Sequence, residues 1–137
     1  MESDELLLVL LQRATHVTLQ VLGTELADLG LTASELNVLA NLEDGRPRTV
    51  SEIGVAAGVR PTTLTGVLDR LADKELLTRA ARTGDRRAVE ISLTAAGTRS
   101  AARVAEAFKA VEDRALGDVP APAVKEARRV LKGLAES

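Results

Sequence analysis

The sequence contains no cysteine, tryptophan or tyrosine, and Phe108 is its only aromatic residue. The absence of cysteine excludes a disulfide framework, a zinc–thiolate site and a thiol redox sensor. The near absence of aromatic side chains argues against recognition of single-stranded RNA or DNA by base stacking. His16 is the only histidine, so a histidine-based metal site would need carboxylates or a second subunit. We therefore expect no metal site, and we expect His16 to be a partly buried helix residue.

The sequence also lacks a hydrophobic run long enough to cross a membrane. Its one strongly apolar stretch, residues 6–11, has six residues, whereas a membrane-spanning helix needs about 20. Acidic Glu2, Asp4 and Glu5 precede this stretch, where a signal peptide carries basic residues. We therefore expect a cytoplasmic protein with no membrane partner.

No catalytic constellation is visible in the sequence. We find no nucleophile motif, no phosphate-binding glycine loop, no cluster of metal ligands and no histidine beside a plausible acid or serine partner. The sequence therefore predicts no catalytic residue, no cofactor and no enzymatic activity. A length of 137 residues is that of a single domain with a sizeable core.

Charge is unevenly distributed along the chain, although the net charge is only −2. Residues 1–45 contain one basic and eight acidic residues, residues 46–87 nine and five, and residues 88–137 eight and seven, so their net charges are −7, +4 and +1. A basic middle segment beside an acidic arm is typical of a nucleic-acid reader whose scaffold lies away from the nucleic acid. A chance scatter of charges is the alternative interpretation.

The middle segment predicts two short helices joined by a tight turn. Thr49 and Glu52 have the spacing of a capping box, which begins a helix. Gly58 is placed to end that helix in a left-handed conformation. Arg60 precedes Pro61, which disfavours helix at Arg60 and suits the first position of the next helix. This order is that of a helix-turn-helix.

The second of these helices is amphipathic. Four apolar residues at helical spacing form a stripe that we expect to be buried: Leu64, Val67, Leu68 and Leu71. The opposite face is polar, and it carries Thr62, Thr63, Thr65, Gly66, Asp69 and Arg70. Hydroxyls at the leading end of a recognition helix can meet base edges or phosphates in the major groove, where the helix dipole also favours an anion. Local capping and a solvated face are the alternative interpretation of the threonines.

A β-hairpin follows, with strands predicted at residues 77–80 and 88–93. The second strand alternates apolar with polar residues, as a half-buried strand does; its apolar positions are Val89, Ile91 and Leu93. Gly84 supplies the turn, and residues 84–87 form the predicted tip.

Two adjacent arginines at the tip, Arg86 and Arg87, stabilise the fold little because each keeps its charge hydrated. Their position suits a negative partner outside the protein, such as the narrow minor groove of DNA. Asp85 would be repelled by phosphate, so we expect it to brace an arginine through a charge-assisted hydrogen bond. Two helices and a wing in this order predict a winged helix-turn-helix that binds double-stranded DNA.

Further helices are predicted on both sides of the winged segment. A first helix over residues 5–29 is apolar on more than one face, and a second one through Leu42 begins at a capping box of Thr32 and Glu35. A long helix over residues 95–115 is followed by a break and a last helix. Their apolar surface exceeds what one winged domain can cover, so we expect these helices to pair two protomers.

Four short motifs occur in order: residues 31–39 (LTASELNVL), 68–71 (LDRL), 85–87 (DRR) and 93–97 (LTAAG). Together they resemble the MarR family of bacterial transcription regulators, and the resemblance extends over almost the whole chain. It implies a homodimer that binds a pseudo-palindromic operator, usually as a repressor. Many members of that family release DNA when a small, often aromatic, molecule binds, so the resemblance also implies a small-molecule effector.

The resemblance implies roles for individual residues. Asp85 matches the Asp of the family's Asp-x-Arg motif, Arg87 matches its DNA-facing arginine, and Arg70 falls at a position that commonly supports the DNA interface. The sequence departs from the family pattern at Glu75, where glycine often follows the recognition helix. It departs again at Gly66, where a larger polar residue is common.

We therefore predict a mainly α protein with a small β-hairpin wing, in which a winged helix-turn-helix is flanked by N- and C-terminal dimerisation helices. In this single MarR-type domain, residues 1–30 and 95–137 would dimerise and residues 31–94 would bind DNA. The predicted DNA-binding residues are Arg60, Thr62, Thr63, Thr65, Arg70, Arg86 and Arg87, with Asp85 bracing the wing. A winged-helix adaptor that binds proteins and not DNA is the alternative. For an effector site, the polar candidates Arg13, His16 and Asn37 suit a core or surface role equally well.

Overall fold

The computed structural model describes residues 4–137, with the backbone alone described at position 86. Within these residues the helices are α1 (Leu7–Glu25), α2 (Ala33–Ala40), α3 (Val50–Ala57), α4 (Pro61–Asp73), α5 (Ala95–Leu116) and α6 (Ala121–Ala135). The strands are β1 (Arg48–Thr49), β2 (Leu77–Arg82) and β3 (Asp85–Leu93). The predicted fold class is confirmed, because α3, α4 and a small antiparallel sheet form a winged helix-turn-helix between flanking helices.

Both predicted capping boxes are present. The Thr32 hydroxyl accepts from the Glu35 amide at 3.2 Å, and the Glu35 carboxylate accepts from the Thr32 amide at 3.3 Å. Thr49 and Glu52 make the same pair of bonds at the start of α3, at 3.2 and 2.8 Å. Gly58 ends α3 with a left-handed φ of 66°. Local hydrogen bonding therefore sets where α2 and α3 begin and how α3 ends.

Two helices end earlier than predicted. α1 stops at Glu25, because a 3-10 helix at Ala27–Leu29 then tightens the chain into Gly30, which has a φ of 63°. α2 stops at Ala40, because the amide of Leu42 bonds three residues back, at 3.0 Å, in a tighter turn. The two ends are set by the turns that follow each helix, and the spacing of apolar residues along the sequence does not predict such turns.

The wing is a three-stranded antiparallel sheet in the order β1–β3–β2. The sequence does not predict β1, because a strand of two residues has no periodicity. The hairpin tip is shorter than predicted: two residues lie between β2 and β3, and Gly84 takes the positive φ of 86°. Arg82 pairs with Asp85 across this turn, so residues 85–87 begin β3 and do not form the turn.

The core forms around the apolar stripe of α4, whose four residues are all buried as predicted. Ile53 of α3 and Ile91 of β3 belong to the same cluster. α5 packs against the turn after α4 at Gly97, where an added Cβ would lie 1.8 Å from the carbonyl oxygen of Leu76, so only glycine fits. The alternating pattern places Val89 on the buried side of its strand, yet this side chain is 43% exposed, because the core covers only the base of the wing.

Large apolar side chains remain exposed on the flanking helices. They include Leu6, Leu7, Leu8, Val9 and Leu10 around the start of α1, and Val130, Leu131 and Leu134 on α6. His16 is exposed too, contrary to the prediction, because α1 packs on α5 through another face. Among the helices of residues 4–137, none combines the length and the hydropathy that a bilayer crossing requires.

The chain leaves α4 through Glu75, at the position where the family pattern suggests glycine. Glu75 has a φ of 60°, the one positive φ outside glycine in the described chain. The amide of Leu76 bonds to the carbonyl of Leu71 at 3.0 Å, and the amide of Glu75 bonds to that of Ala72 at 2.9 Å, as in a Schellman turn. A left-handed backbone costs a residue with a Cβ about 1–2 kcal/mol.

Replacing this residue by glycine should therefore stabilise the protein. We expect Glu75→Gly to raise the free energy of unfolding by about 0.5–1 kcal/mol, the relief of strain less the extra entropy of glycine in the unfolded chain. Urea denaturation measures the change. Glu75→Ala is the matched control, since it removes the carboxylate and keeps the Cβ, and an equal gain in both variants would contradict the explanation by strain.

Candidate nucleic-acid interface

The exposed face of α4 starts at its N-terminus. Arg60 is the N-cap residue and Pro61 the first helical residue, as predicted; the Arg60 side chain is exposed and makes no ion pair within the described chain. Thr62 and Thr63 are exposed, and neither hydroxyl has a partner there. The hydroxyl of Thr65 is exposed but donates its proton to the carbonyl of Pro61 at 3.0 Å. This hydroxyl can therefore only accept a hydrogen bond from a ligand.

The side chain of Arg70 lies along α4 between Gly66 and Glu35. Its Nε lies 3.7 Å from Oε1 of Glu35, and its side chain is 51% exposed. A Cβ at Gly66 would lie 3.4 Å from Nη1 of Arg70. The glycine at position 66, where the family pattern commonly has a larger residue, thus leaves room for the guanidinium of Arg70. One side of this guanidinium faces Glu35, and the rest is exposed to solvent.

The start of β3 carries the predicted wing residues. Arg87 is exposed and has no ion pair among the residues whose side chains are described. The carboxylate of Asp85 accepts from the backbone amide of Arg87 at 3.0 Å. Arg86 lies in β3, but its side chain is outside the described part of the structure. Asp85 therefore shapes the backbone of the tip.

Ion pairs join the wing to the helix-turn-helix. Arg79 of β2 bonds to Asp69 on the exposed face of α4 at 2.6 Å, and Arg82 bonds to Glu52 at 2.6 Å and to Glu90 at 2.9 Å. Hydrogen bonds from Thr49, and then from Arg82, lower the pKa of Glu52 to about 2. Sequence reasoning missed these pairs, because the Arg79–Asp69 and Arg82–Glu52 partners lie 10 and 30 residues apart and no pattern links them.

The other end of α4 is anchored by Glu35, whose side chain is 1% exposed. Lys74, the C-cap of α4, donates to Oε2 of Glu35 at 2.8 Å and to the carbonyl of Gly30 at 3.3 Å. Burial by itself raises the pKa of Glu35, but hydrogen bonds from Lys74 and Thr32 outweigh it, so the pKa lies below its ordinary value. The carboxylate that the sequence predicts only as a helix cap therefore also ties α2 to α4.

A cavity of about 350 Å³ lies between α1, α2 and α5. Its lining is uncharged and consists of Thr15, Thr18, Leu19, Leu22, Ala33, Ser34, Asn37 and Phe108. Of the three polar candidates from the sequence, only Asn37 lines it; Arg13 bonds to Glu5 at 2.8 Å, and His16 is exposed. No cluster of three or more acidic or histidine side chains suited to a metal ion occurs in the described chain.

Comparison with known proteins identifies relatives of this chain. The sequence model of the MarR family matches residues 31–89. The HTH-type transcriptional repressor MdtR of Bacillus subtilis is 33% identical over 108 residues, which cover 79% of this chain and 70% of the repressor. An HTH-type transcriptional repressor of Mycobacterium tuberculosis is 30% identical over 125 residues, 91% of this chain and 90% of that protein. The crystal structure of NadR with 4-hydroxyphenylacetate has the same fold, with a TM-score of 0.85 at 20% identity over 98% of this chain and 96% of NadR.

The buried carboxylate of Glu35 should make stability depend on pH. Because its pKa is lower in the folded than in the unfolded chain, its contribution is present above about pH 4.5 and is lost as the pH falls further. We expect Glu35→Gln, which can still cap α2, to lower the free energy of unfolding by about 1–3 kcal/mol at pH 7. The difference from the wild type should shrink below about pH 4.5.

Chemical denaturation at several pH values provides the measurement. Glu43→Gln, in an exposed loop, is the control and should change the free energy of unfolding by less than about 0.5 kcal/mol. A loss in Glu35→Gln that stays constant from pH 7 to pH 3 would contradict the role of the ionised carboxylate.

Proposed function

Because this chain belongs to the MarR family, whose members are DNA-binding transcription regulators and not enzymes, we propose that it represses transcription from a double-stranded DNA operator. Relatives of the chain are named transcriptional repressors, which favours this role over that of a protein-binding adaptor. The observation that carries the proposal is the Arg79–Asp69 ion pair, which holds the wing beside the exposed face of α4. Wing and helix can then meet one duplex together.

The exposed face of α4 supplies the proposed major-groove contacts. Thr62 and Thr63 have hydroxyls that can both donate and accept, so they suit base edges and nearby phosphates. Thr65 serves as an acceptor, because its proton is used within the helix. Arg60 at the N-cap binds phosphate, and Arg70 does so after turning away from Glu35.

The wing supplies the proposed minor-groove or backbone contacts through Arg86 and Arg87. A guanidinium without an intramolecular partner can enter a narrow, strongly negative groove without first breaking an ion pair. Arg87 meets this condition. Asp85 braces the wing by holding the backbone of Arg87, which orients the strand that carries both arginines.

A homodimer would cover the exposed apolar side chains of α1 and α6. We assign residues 1–30 and 95–137 to dimerisation and residues 31–94 to DNA binding. A two-fold axis would place the two α4 helices in successive major grooves, roughly 34–36 Å apart, so the operator would be an inverted repeat. The regulator would act in the cytoplasm, where such an operator is found.

A small-molecule effector would occupy the cavity between α1, α2 and α5. Its volume of about 350 Å³ suits a compact ligand, and the structurally similar NadR has been crystallised with 4-hydroxyphenylacetate. Such a ligand would favour a dimer geometry in which the two recognition helices no longer match successive grooves. The fraction of dimers able to bind the operator would then fall, and the operator would be released.

Selection from a random double-stranded DNA library tests the proposed function. The wild-type protein should enrich an inverted repeat whose half-sites lie one helical turn apart. Enrichment of no sequence at all would favour the adaptor over the repressor. Enrichment of a single, unrepeated half-site would preserve DNA binding and overturn the dimeric arrangement.

The wing makes a separate prediction. Arg87→Ala should weaken operator binding by about 10-fold or more, and should reduce the slope of log affinity against log salt by about 1 per protomer, because a charged contact is lost. Fluorescence anisotropy at several salt concentrations measures both, and size-exclusion chromatography checks the dimer. Arg128→Ala, on exposed α6, removes the same charge elsewhere. Equal losses in two variants that both remain dimeric would attribute the effect to net charge and remove the wing from the interface.

A further inference from the structure

One polar residue of α2 is bonded to the turn that leads into the recognition helix. Nδ2 of Asn37 donates to the carbonyl oxygen of Ala57 at 3.0 Å. Ala57 is the last residue of α3, and Gly58 then turns the chain towards Arg60, the N-cap of α4. Because the last carbonyls of a helix have no partner within it, Asn37 caps α3 from outside the helix.

A second asparagine orients this cap. Nδ2 of Asn41 donates to Oδ1 of Asn37 at 3.1 Å and to its backbone carbonyl at 2.8 Å. Since the amide oxygen of Asn37 is held by Asn41, its amide nitrogen is directed at Ala57. The three residues form one chain of hydrogen bonds from the end of α2 to the end of α3.

Asn37 also lines the cavity between α1, α2 and α5. One N–H of the Asn37 amide is used by Ala57, and the other has no acceptor in the described chain. A polar group that reaches this amide from the cavity can accept from the second N–H and draw the amide away from Ala57. Asn37 is thus in contact both with the space for a ligand and with the turn before α4.

We propose that Asn37 positions the N-terminal end of α4 for DNA, and that occupation of the cavity weakens operator binding by loosening the bond from Asn37 to Ala57. This inference rests on the proposed DNA-binding function. It names the residue through which the cavity acts on the recognition helix.

The two ends of α4 are held by different residues of α2. Glu35 holds the C-terminal end through Lys74, whereas Asn37 holds the turn before the N-terminal end. Loss of the Asn37 bond therefore frees the end that carries Thr62 and Thr63 and leaves the other end in place. A change of this kind alters base contacts more than wing contacts.

Hydrogen exchange tests the positioning without DNA. In Asn37→Ala the amides of Val59 and Leu64, which are hydrogen-bonded around this turn, should exchange about 3–10-fold faster, the equivalent of one hydrogen bond. The amide of Leu76, beyond the C-terminal end of α4, should keep its rate. Ser34→Ala also changes the cavity lining but has no bond to α3, so it should leave all three rates unchanged. Unchanged exchange in Asn37→Ala would overturn the proposal.

Operator affinity tests the consequence for DNA. Asn37→Ala should weaken binding about 3–10-fold, and Thr63→Ala should add little to that loss, whereas Arg87→Ala should keep its full effect in the same background. Wild-type affinity in Asn37→Ala, or additive losses with Thr63→Ala, would overturn the proposal. A wild-type protein that binds no DNA would refute the proposed function instead, and hydrogen exchange would still decide whether Asn37 positions α4.

A cavity-filling substitution stands in for an unidentified ligand. Thr18 lines the cavity from α1, and Thr18→Gln fills it with a side chain whose amide oxygen is a hydrogen-bond acceptor. It should weaken operator binding about 3-fold or more in the wild-type background and have no further effect in Asn37→Ala. Equal losses in both backgrounds, or no loss in either, would show that the cavity does not act through Asn37.

Discussion

Burial of four apolar side chains on one side of α4 determines which side of this helix is exposed, and that exposed side is the proposed DNA-binding face. Each contributes roughly 1.5–3 kcal/mol, more than a typical hydrogen bond, so the core side sets the rotation of the helix about its axis. The hydroxyl-bearing side then faces solvent and needs no polar contact to hold it there. Side chains on the exposed side can therefore be substituted to match an operator with little loss of folding stability.

Arginine serves two purposes in the basic middle segment. Arg79 and Arg82 are committed to carboxylates within the protein and fix the wing against α3 and α4. Arg60 and Arg87 have no such partner in the described chain and remain available to an outside anion. The ion pairs of Arg79 and Arg82 hold the wing, and with it Arg87, in a fixed position. A flexible wing would instead have to become ordered on binding DNA, which would reduce affinity.

The α2 helix packs against α3, α4 and α5. One of its faces borders the cavity; half-buried Asn37 reaches the turn before α4, and buried Glu35 reaches the C-terminal end of α4. The eight residues of α2 thus lie between the cavity and the recognition helix. By the proposed mechanism, a change on the cavity side would reach the recognition helix through Asn37.

The sequence by itself determined what acts over a few neighbouring residues. Capping boxes at Thr32 and Thr49, the left-handed end at Gly58 and the buried stripe of α4 follow from hydrogen bonds and periodicities that span at most about two helical turns. The exposed residues of the candidate site are predictable for the same reason. Only the tertiary structure decided which arginines are engaged, how short the wing tip is, and that Asn37 meets Ala57, because packing alone brings side chains together that are distant in the chain.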